Sequence, residues 1–327
     1  MRIGVVGPVA PDYFADNVGD SLENMGHLVT QLGSARAHYW PGNITRVVQL
    51  ARQAMPRLDE FAQQRIVRTA RDKKCEVVIS LEGSLMPMTV TQLRRGGARV
   101  VLWFPDAVSN LSRQLMLLAP YDAIFFKEPD LVRRLQATLD LPVYYLPEAC
   151  NPRWHRPLTA ASTEPYLVIA GNMYPSRVRL IERLLAKGIP LKLYGGGFPR
   201  WIGETSARSA HTGRYLAREE KAQIFRAAAG VLNTMHPAEM AGVNVRLFEA
   251  AGSGAAVLTE FRPALPDLFA LGNEMLEFRD FDQLVDQAER LLSEPGLTAR
   301  LGDAASRRAH RDHTYDLRLT AILEKVS

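Results

Sequence analysis

Short apolar runs rich in β-branched residues alternate with longer helical patterns along the whole chain of 327 residues. Strands that helices cover on both faces read as continuous apolar runs, so this alternation is typical of parallel α/β sheets. The predicted strands are Ile3–Val6, Val77–Leu81, Val100–Phe104, Ala123–Phe126, Val143–Leu146, Tyr166–Ala170, Leu191–Tyr194, Val231–Thr234, Ala256–Thr259 and Met275–Phe278. The predicted helices include Asn43–Ala54, Leu58–Arg71, Pro129–Ala137, Ser176–Lys187, Arg218–Ala228, Val245–Ala251, Phe281–Leu292 and most of the tail from Thr298.

The alternation is interrupted in the segment Pro147–Pro165, where prolines with Ser and Thr between them end regular elements. We place a linker between two domains there. About five βα units on each side predict two doubly wound domains, each with a ligand crevice at the carboxyl ends of its strands. The expected division is 1–155, 156–305 and a C-terminal helix, 306–327, that packs back on the first domain.

The net charge of +5 is spread over the sequence, without a run of five basic residues. A nucleic-acid partner is therefore not expected, whereas a basic surface or an anionic small ligand such as a diphosphate fits equally well. The two cysteines, Cys75 and Cys150, are too few for a disulfide framework or a zinc site. The N-terminus lacks a signal-peptide pattern, and no apolar run reaches the roughly 18 residues that cross a bilayer. We expect a cytoplasmic protein without an integral membrane segment.

The first predicted strand ends at Gly7, which Pro8 follows. The missing G-x-G-x-x-G fingerprint disfavours a nicotinamide dehydrogenase. This loop, with Asp16, Asn17 and Gly19, is either a tight turn or one border of an acceptor site.

Gly171 and Asn172 follow the first strand of the second half, and Arg177 lies at the start of the next helix. Backbone N–H groups at such a junction attract phosphate, and Arg177 would add a charged hydrogen bond. The alternative is an ordinary loop in which Ser176 caps the helix.

The segment from His236 to Gly254 carries the densest group of polar residues. Asn244 is a candidate N-cap, and Arg246 and Glu249 lie in the first turns of the helix that follows. A carboxylate there can accept both hydroxyls of a ribose, while N–H groups before it face a diphosphate. The alternative is a local Glu249–Arg246 pair at i,i+3, although that pair alone does not explain the glycines on both sides.

The stretch NVRLFEAAGSGAAVLTEFRPALPDLFALGNEMLEFRDFDQLVDQAERLL resembles the C-terminal half of CgeB-like glycosyltransferases, relatives of the GT-4-like group. Six shorter motifs are similar to the same family: HTYDLR in the tail, YLPEA before the linker, AGNM with Arg177, LYG at 193–195, WFPD at 103–106 and YDAIF at 121–125. The resemblance covers most of residues 75–327 and is thin over the first 70.

This resemblance implies a GT-B fold, with two Rossmann-like domains facing a central cleft and the nucleotide-sugar held by the second. Glu249 would bind the ribose, and the region Tyr194–Gly196, with Gly195, would face the base. The residues implied at the diphosphate are Gly171, Asn172, Arg177 and Arg246, with Asn244 beside them. The E-x7-E pattern of GT-4 enzymes is incomplete, because Ala241 replaces its first acid and Glu239 is displaced by two positions.

Asp106 and His236 are the candidate catalytic residues, with Glu82 a weaker base candidate. Asp106 could orient the donor sugar or act as a base toward an acceptor hydroxyl; the alternative is an N-cap before a helix Ser109–Ala119. A lone histidine such as His236 is more often structural. The resemblance implies metal-independent chemistry in which a helix dipole and arginine neutralise the leaving diphosphate.

The sequence thus predicts transfer of a hexose from a UDP-, GDP- or TDP-linked donor to a hydroxyl acceptor, without a further cofactor. Retention of configuration is expected from the GT-4 resemblance alone. Two alternatives stay open: an epimerase of GT-B fold, for which no acid pair is apparent, and a non-catalytic nucleotide-sugar-binding protein, which Ala241 and Pro105 favour. Five aromatic residues near the N-terminus could line an acceptor platform or could belong to the core: Tyr13, Phe14, His38, Tyr39 and Trp40.

Overall fold

The computed structural model describes residues 1–35, 55–111, 114–158 and 164–326. It contains two compact units, one formed by Met1–Pro147 with Asp316–Ser327 and the other by Glu148–Tyr315. The first division lies inside the proline-rich segment that the sequence singles out, eight residues before the predicted end of the first domain. The predicted helix Asn43–Ala54 and the residues His38, Tyr39 and Trp40 lie outside the described residues.

The first unit is built on one six-stranded parallel sheet with the strand order β2-β1-β3-β4-β5-β6. Its strands are β1 Arg2–Val6, β2 Leu28–Gly33, β3 Val77–Ser80, β4 Arg99–Phe104, β5 Ala123–Phe126 and β6 Val143–Tyr145. Its helices are α1 Phe14–Asn24, α2 Pro56–Asp72, α3 Pro87–Arg95 and α4 Pro129–Leu139. The C-terminal helix α11, Tyr315–Val326, also belongs to the first unit except for its first residue.

Helices α1 and α3 are not among the helices that the sequence analysis names, and two further features of the first unit differ from the prediction. Strand β2 is additional: it lies at the edge of the sheet, and most of its side chains are partly exposed, so it lacks a continuous apolar run. The predicted helix Ser109–Ala119 is wrong. Two 3₁₀ turns, Val108–Asn110 and Leu115–Leu117, occupy that region instead, and residues 112–113 between them are not described.

The second unit is built on a five-stranded parallel sheet with the order β11-β10-β9-β7-β8. Its strands are β7 Glu164–Ala170, β8 Leu191–Tyr194, β9 Ala228–Asn233, β10 Val257–Glu260 and β11 Leu276–Phe278. Its helices are α5 Pro175–Ala186, α6 Arg218–Ala227, α7 Val245–Gly252, α8 Leu265–Leu268, α9 Phe281–Ser293 and α10 Pro295–Asp312.

Helix α5 ends as its sequence predicts. Gly188 adopts a φ of +80°, its N–H donates to the carbonyl of Leu185, and the N–H of Ile189 donates to the carbonyl of Leu184. This pair of hydrogen bonds closes a helix with a left-handed glycine after its C-cap. The chain can therefore turn at once into β8.

Each unit has the doubly wound parallel architecture that the sequence predicts. In the second unit, one hydrophobic cluster packs α7 and α10 against one sheet face, and another packs α5 and α9 against the opposite face. Strands β8 and β9 lie on opposite sides of β7. In such sheets the ligand crevice opens where the strand order reverses, at the carboxyl ends of β7 and β9. Among the described residues, no helix combines the length and the apolar character that a bilayer crossing requires.

Candidate functional site

The loops that follow β7 and β8 touch through their glycines. Gly171 and Gly195 have φ angles of +138° and +130°, which favour glycine. A Cβ atom on Gly195 would come within 3.0 Å of the Gly171 carbonyl carbon and closer still to its oxygen. The N–H of Gly171 donates to Tyr194 (2.9 Å) and that of Gly195 to Arg214 (2.9 Å), in both cases to the carbonyl oxygen. Both amides thus bind protein acceptors, and the two glycines shape this edge of the sheet.

Arg177 ties the loop after β7 to the end of β9. Its guanidinium donates to the Thr234 hydroxyl (2.8 Å), the Thr234 carbonyl (3.0 Å) and the Asn172 carbonyl (2.7 Å), and it lies 4.3 Å above the Tyr174 ring. Burial lowers the pKa of this guanidinium from its ordinary value. Tyr174 takes the N-cap position of α5 and Pro175 follows it, so Ser176 does not cap the helix.

The loop after β9 folds back on itself around His236. The His236 N–H donates to the Glu239 carboxylate (2.7 Å), and the His236 Nδ1 accepts from the Ala238 N–H (3.2 Å). The imidazole lies edge-on to the Tyr174 ring, with centroids 4.9 Å apart. Half-buried, His236 therefore lies beside the Arg177–Tyr174 pair, at the carboxyl edge of the sheet.

Asn244 stands at the N-cap position of α7, but its side chain does not cap the helix. Its Nδ2 donates to the Thr234 carbonyl oxygen (3.2 Å) and contacts the Met235 sulfur (3.3 Å). Its Oδ1 is buried and has no hydrogen-bond partner in the part of the chain that the structure describes. The side chain of the N-cap residue thus leaves the first turn of α7 uncapped, which is a condition that favours an anion at a helix start.

Glu249 lies one turn further along α7 and is only 2% exposed. Its Oε2 accepts from the Arg246 guanidinium, which is the i,i+3 pair that the sequence offers as the alternative. Its Oε1 lies 2.9 Å from the ammonium group of Lys221, on α6. A cation thus binds each oxygen of this carboxylate, one from its own helix and one from the neighbouring helix.

The glycines that follow Glu249 have a packing explanation. A Cβ atom on Gly252 would come within 2.8 Å of the His155 carbonyl oxygen and 2.9 Å of the Cys150 side chain. Gly254 has a φ of +76° and its carbonyl oxygen accepts from Arg226. These two glycines therefore allow the end of α7 to pack closely, and they lend no weight to a ligand role for Glu249.

The candidate residues of the first unit contact other residues of that unit. The exposed Asp106 accepts from the Ala107 N–H (2.7 Å) and from the Asn110 side-chain amide (2.9 Å). Ala107 holds the N-cap position of the first 3₁₀ turn, so Asp106 lies just before the turn and does not cap it. Glu82 is buried and accepts two contacts from the Ser34 hydroxyl, at 2.9 and 3.1 Å, which joins the ends of β2 and β3. Phe14 packs edge-on against Trp103, with ring centroids 4.8 Å apart.

The remaining residues of the first loop form a network at the start of α1. The Asp16 carboxylate accepts from the Asp12 N–H (2.8 Å), and the Asn17 amide donates to the Asp12 carboxylate (3.0 Å). Asp12 has a φ of +63°, which a short polar side chain tolerates. This network fixes the turn after β1.

Lys221 is the residue that sequence reasoning missed. It lies on the same buried helix face as Ala222 and Phe225. A lysine on the apolar face of an amphipathic helix is unusual, because lysine is almost never fully buried unless an opposite charge pairs with it. The position of Lys221 on this apolar face could have indicated a buried ion pair, but the sequence does not reveal that its partner is Glu249, 28 residues later.

Residues 177–324 match the family model described as glycosyl transferase-like. A search of curated protein sequences gives no significant match. Among solved structures, the chain is similar to the sucrose-phosphate synthase of Thermosynechococcus elongatus, with 14% identity, a TM-score of 0.69 and coverage of 100% of this chain and 99% of that one.

Two further solved structures are similar over nearly their whole length. AviGT4, a glycosyltransferase involved in avilamycin A biosynthesis, has 18% identity, a TM-score of 0.66 and coverage of 99% and 96%. Anabaena HepE in complex with UDP-glucose has 13% identity, a TM-score of 0.66 and coverage of 100% and 99%. The fold is that of the GT-B glycosyltransferases. At these identities the likeness shows the fold alone, and the resemblance to CgeB-like proteins remains a prediction.

Proposed function

We propose that this protein is a glycosyltransferase that moves a hexose from a nucleoside-diphosphate sugar to a hydroxyl acceptor. One observation carries the proposal: a carboxylate with a cation at each oxygen lies one turn into a helix whose start has no side-chain cap. A ribose offers two adjacent hydroxyl donors to a carboxylate, and a diphosphate suits an uncapped helix start. The match of residues 177–324 to a glycosyl transferase-like family model supports the same assignment.

In the proposed site, Glu249 binds the ribose, while the start of α7 and Arg246 face the diphosphate. The Asn244 Oδ1 is a buried acceptor without a protein partner among the described residues, so it can accept a hydrogen bond from a donor group of the ligand. Arg177, already committed to Thr234 and Asn172, holds the two loops in register. Gly171, Gly195 and Tyr194 shape the edge where the base would lie.

The chemistry is proposed to be metal-independent, with the helix dipole and arginine stabilising the leaving diphosphate. Asp106 is proposed to orient the sugar or to act as a base, and His236 to assist the leaving phosphate. Retention of configuration is the expectation for the stereochemical course. Proton NMR of the product tests it, since an inverted anomer would require a base such as Asp106.

A thermal-shift panel of UDP-, GDP- and TDP-sugars tests donor binding, because a ligand that binds the folded state raises the melting temperature. We expect one nucleotide to give a clear shift, which Glu249→Gln reduces and the exposed control Glu289→Gln retains. Chromatography of the reaction then measures release of the nucleoside diphosphate, with and without EDTA.

A protein that binds the donor tightly yet releases no nucleoside diphosphate with any hydroxyl acceptor would be a sugar-nucleotide-binding protein instead of an enzyme. A panel without any shift would refute the donor assignment.

A further inference from the structure

Lys221 is a charged residue in an apolar position. It is 2% exposed, and it shares the buried face of α6 with Ala222 and Phe225. Burying an ammonium group costs free energy unless an opposite charge is close, and here its Nζ lies 2.9 Å from Glu249 Oε1. A buried ion pair of this kind is often no more stabilising than two apolar side chains of the same size. Stability alone is therefore a weak reason for a lysine at this position.

The two cations differ in how they hold Glu249. Lys221 reaches Oε1 from a neighbouring helix and is buried, whereas Arg246 reaches Oε2 from the same helix and its side chain is 23% exposed. One contact from each side fixes the rotation of the carboxylate about its own axis. Without the Lys221 contact, Oε1 loses a buried cation from the neighbouring helix, and the direction of the carboxylate is less firmly fixed.

We propose that Lys221 is a positioning residue, which holds the Glu249 carboxylate in the orientation that recognises the two hydroxyl groups of a ribose. This inference rests on the proposed function. A carboxylate oxygen accepts from more than one donor, so a ribose hydroxyl can join each cation contact without replacing it. Hydrogen bonding to a pair of adjacent hydroxyls depends on direction, and that direction is what Lys221 supplies.

Ribose discrimination is the property that separates this role from a structural one. UDP and 2′,3′-dideoxy-UDP share the base and the diphosphate and differ only in the hydroxyls that Glu249 would bind. Isothermal titration calorimetry gives the ratio of their dissociation constants. The wild-type protein is expected to prefer UDP by about tenfold or more, since the dideoxy ligand lacks both hydrogen bonds from the ribose hydroxyls to the charged carboxylate. GDP and its dideoxy form are the second probe pair.

Lys221→Met is expected to reduce this preference to about threefold or less, because the carboxylate loses its direction while the diphosphate contacts persist. Lys187→Met, the same change at an exposed lysine, is expected to keep the wild-type ratio. Lys221→Met leaves a buried carboxylate with one cation fewer, which could destabilise the fold. The double variant Lys221→Met/Glu249→Gln removes both charges of the ion pair and therefore avoids this unpaired charge. If Lys221 acts through Glu249, the ratio of the dissociation constants of UDP and dideoxy-UDP is the same for the double variant as for Glu249→Gln alone.

Each outcome supports or overturns a stated claim. Full discrimination in folded Lys221→Met, or a double variant that discriminates less than Glu249→Gln, overturns the positioning role and leaves the proposed function standing. A wild-type protein that binds none of UDP, GDP and TDP overturns the proposed function, and the role of Lys221 falls with it. Binding of TDP alone, whose deoxyribose has a single free hydroxyl, overturns the role of Lys221 and leaves the proposed function standing. Wild-type binding of UDP without preference over the dideoxy form overturns the assignment of Glu249 to the ribose.

Discussion

Replacing Gly195 by alanine tests the loop geometry at the carboxyl edge of the second sheet. The new Cβ would come within 3.0 Å of the Gly171 carbonyl carbon and within 3.1 Å of its nitrogen. Both are backbone atoms, so neither can turn away as a side chain can. Gly195 also has a φ of +130°, where a side chain adds backbone strain.

The expected cost combines these two effects. Strain at such a φ costs about 1–3 kcal/mol, and overpacking of a tight contact costs typically about 1–3 kcal/mol. A combined loss of about 3 kcal/mol lowers the melting temperature of a unit of this size by about 6–12 °C. The loops after β7 and β8 must also separate, so donor-dependent stabilisation should fall as well.

Differential scanning calorimetry measures this loss. The matched control is Gly197→Ala, in the same loop, where a Cβ atom meets nothing within 4 Å and the φ is not left-handed. We expect the control to melt within about 1–2 °C of wild type, as a surface substitution should. Equal melting temperatures for the two variants would show that the loops do not meet at Gly195, and would refute the reasoning.

Three further substitutions test individual side chains of the site. Glu249→Gln should weaken nucleoside-diphosphate binding by about 1–3 kcal/mol in calorimetry; unchanged affinity in the folded variant would remove Glu249 from the site. Asp106→Asn keeps an oxygen for the Ala107 N–H, so we expect the fold to persist while turnover falls by about 10²-fold or more and donor affinity is unchanged. The control Asn110→Ala removes only the side-chain amide that binds Asp106, and it should retain turnover. Equal losses in donor affinity and turnover for Asp106→Asn would show that Asp106 acts in binding. In Arg177→Lys, a single ammonium group cannot bind both Thr234 and Asn172, so we expect the free energy of unfolding in denaturant to fall by about 2–3 kcal/mol. A loss no larger than that of the exposed control Arg179→Lys would show that Arg177 does not hold the two loops together.

The strands were predictable wherever helices cover both of their faces. All ten predicted strands are present, and each end lies within three residues of the predicted one, because burial on both faces imposes a continuous apolar run. Strand β2 was missed, since Leu28 is exposed and polar residues follow it at the sheet edge. Edge strands carry a weaker pattern for this physical reason.

The wrong helix at Ser109–Ala119 shows the limit of apolar spacing. Leucines at 111, 115 and 118 are spaced as on one helix face, yet the chain forms 3₁₀ turns there. Asp106 binds Ala107 and Asn110, which stabilises a short turn at the start of the region. Side-chain bonding of this local kind competes with a regular helix, and spacing alone does not reveal the outcome.

The local half of the candidate site could be predicted, and the long-range half could not. The pair Glu249–Arg246 follows from i,i+3 spacing on a helix. The partners of Lys221 and Arg177 lie 28 and 57 residues away and become neighbours only through the sheet topology. The glycines after Glu249 suggested a ligand in the sequence, whereas the structure explains Gly252 and Gly254 by close packing.

The structure of the protein soaked with UDP or GDP tests the central claim most directly. We predict density at the start of α7, with both ribose hydroxyls within hydrogen-bonding distance of the Glu249 carboxylate and the diphosphate next to the first-turn amides. A nucleotide bound elsewhere, with residues 244–249 unliganded, would contradict the account.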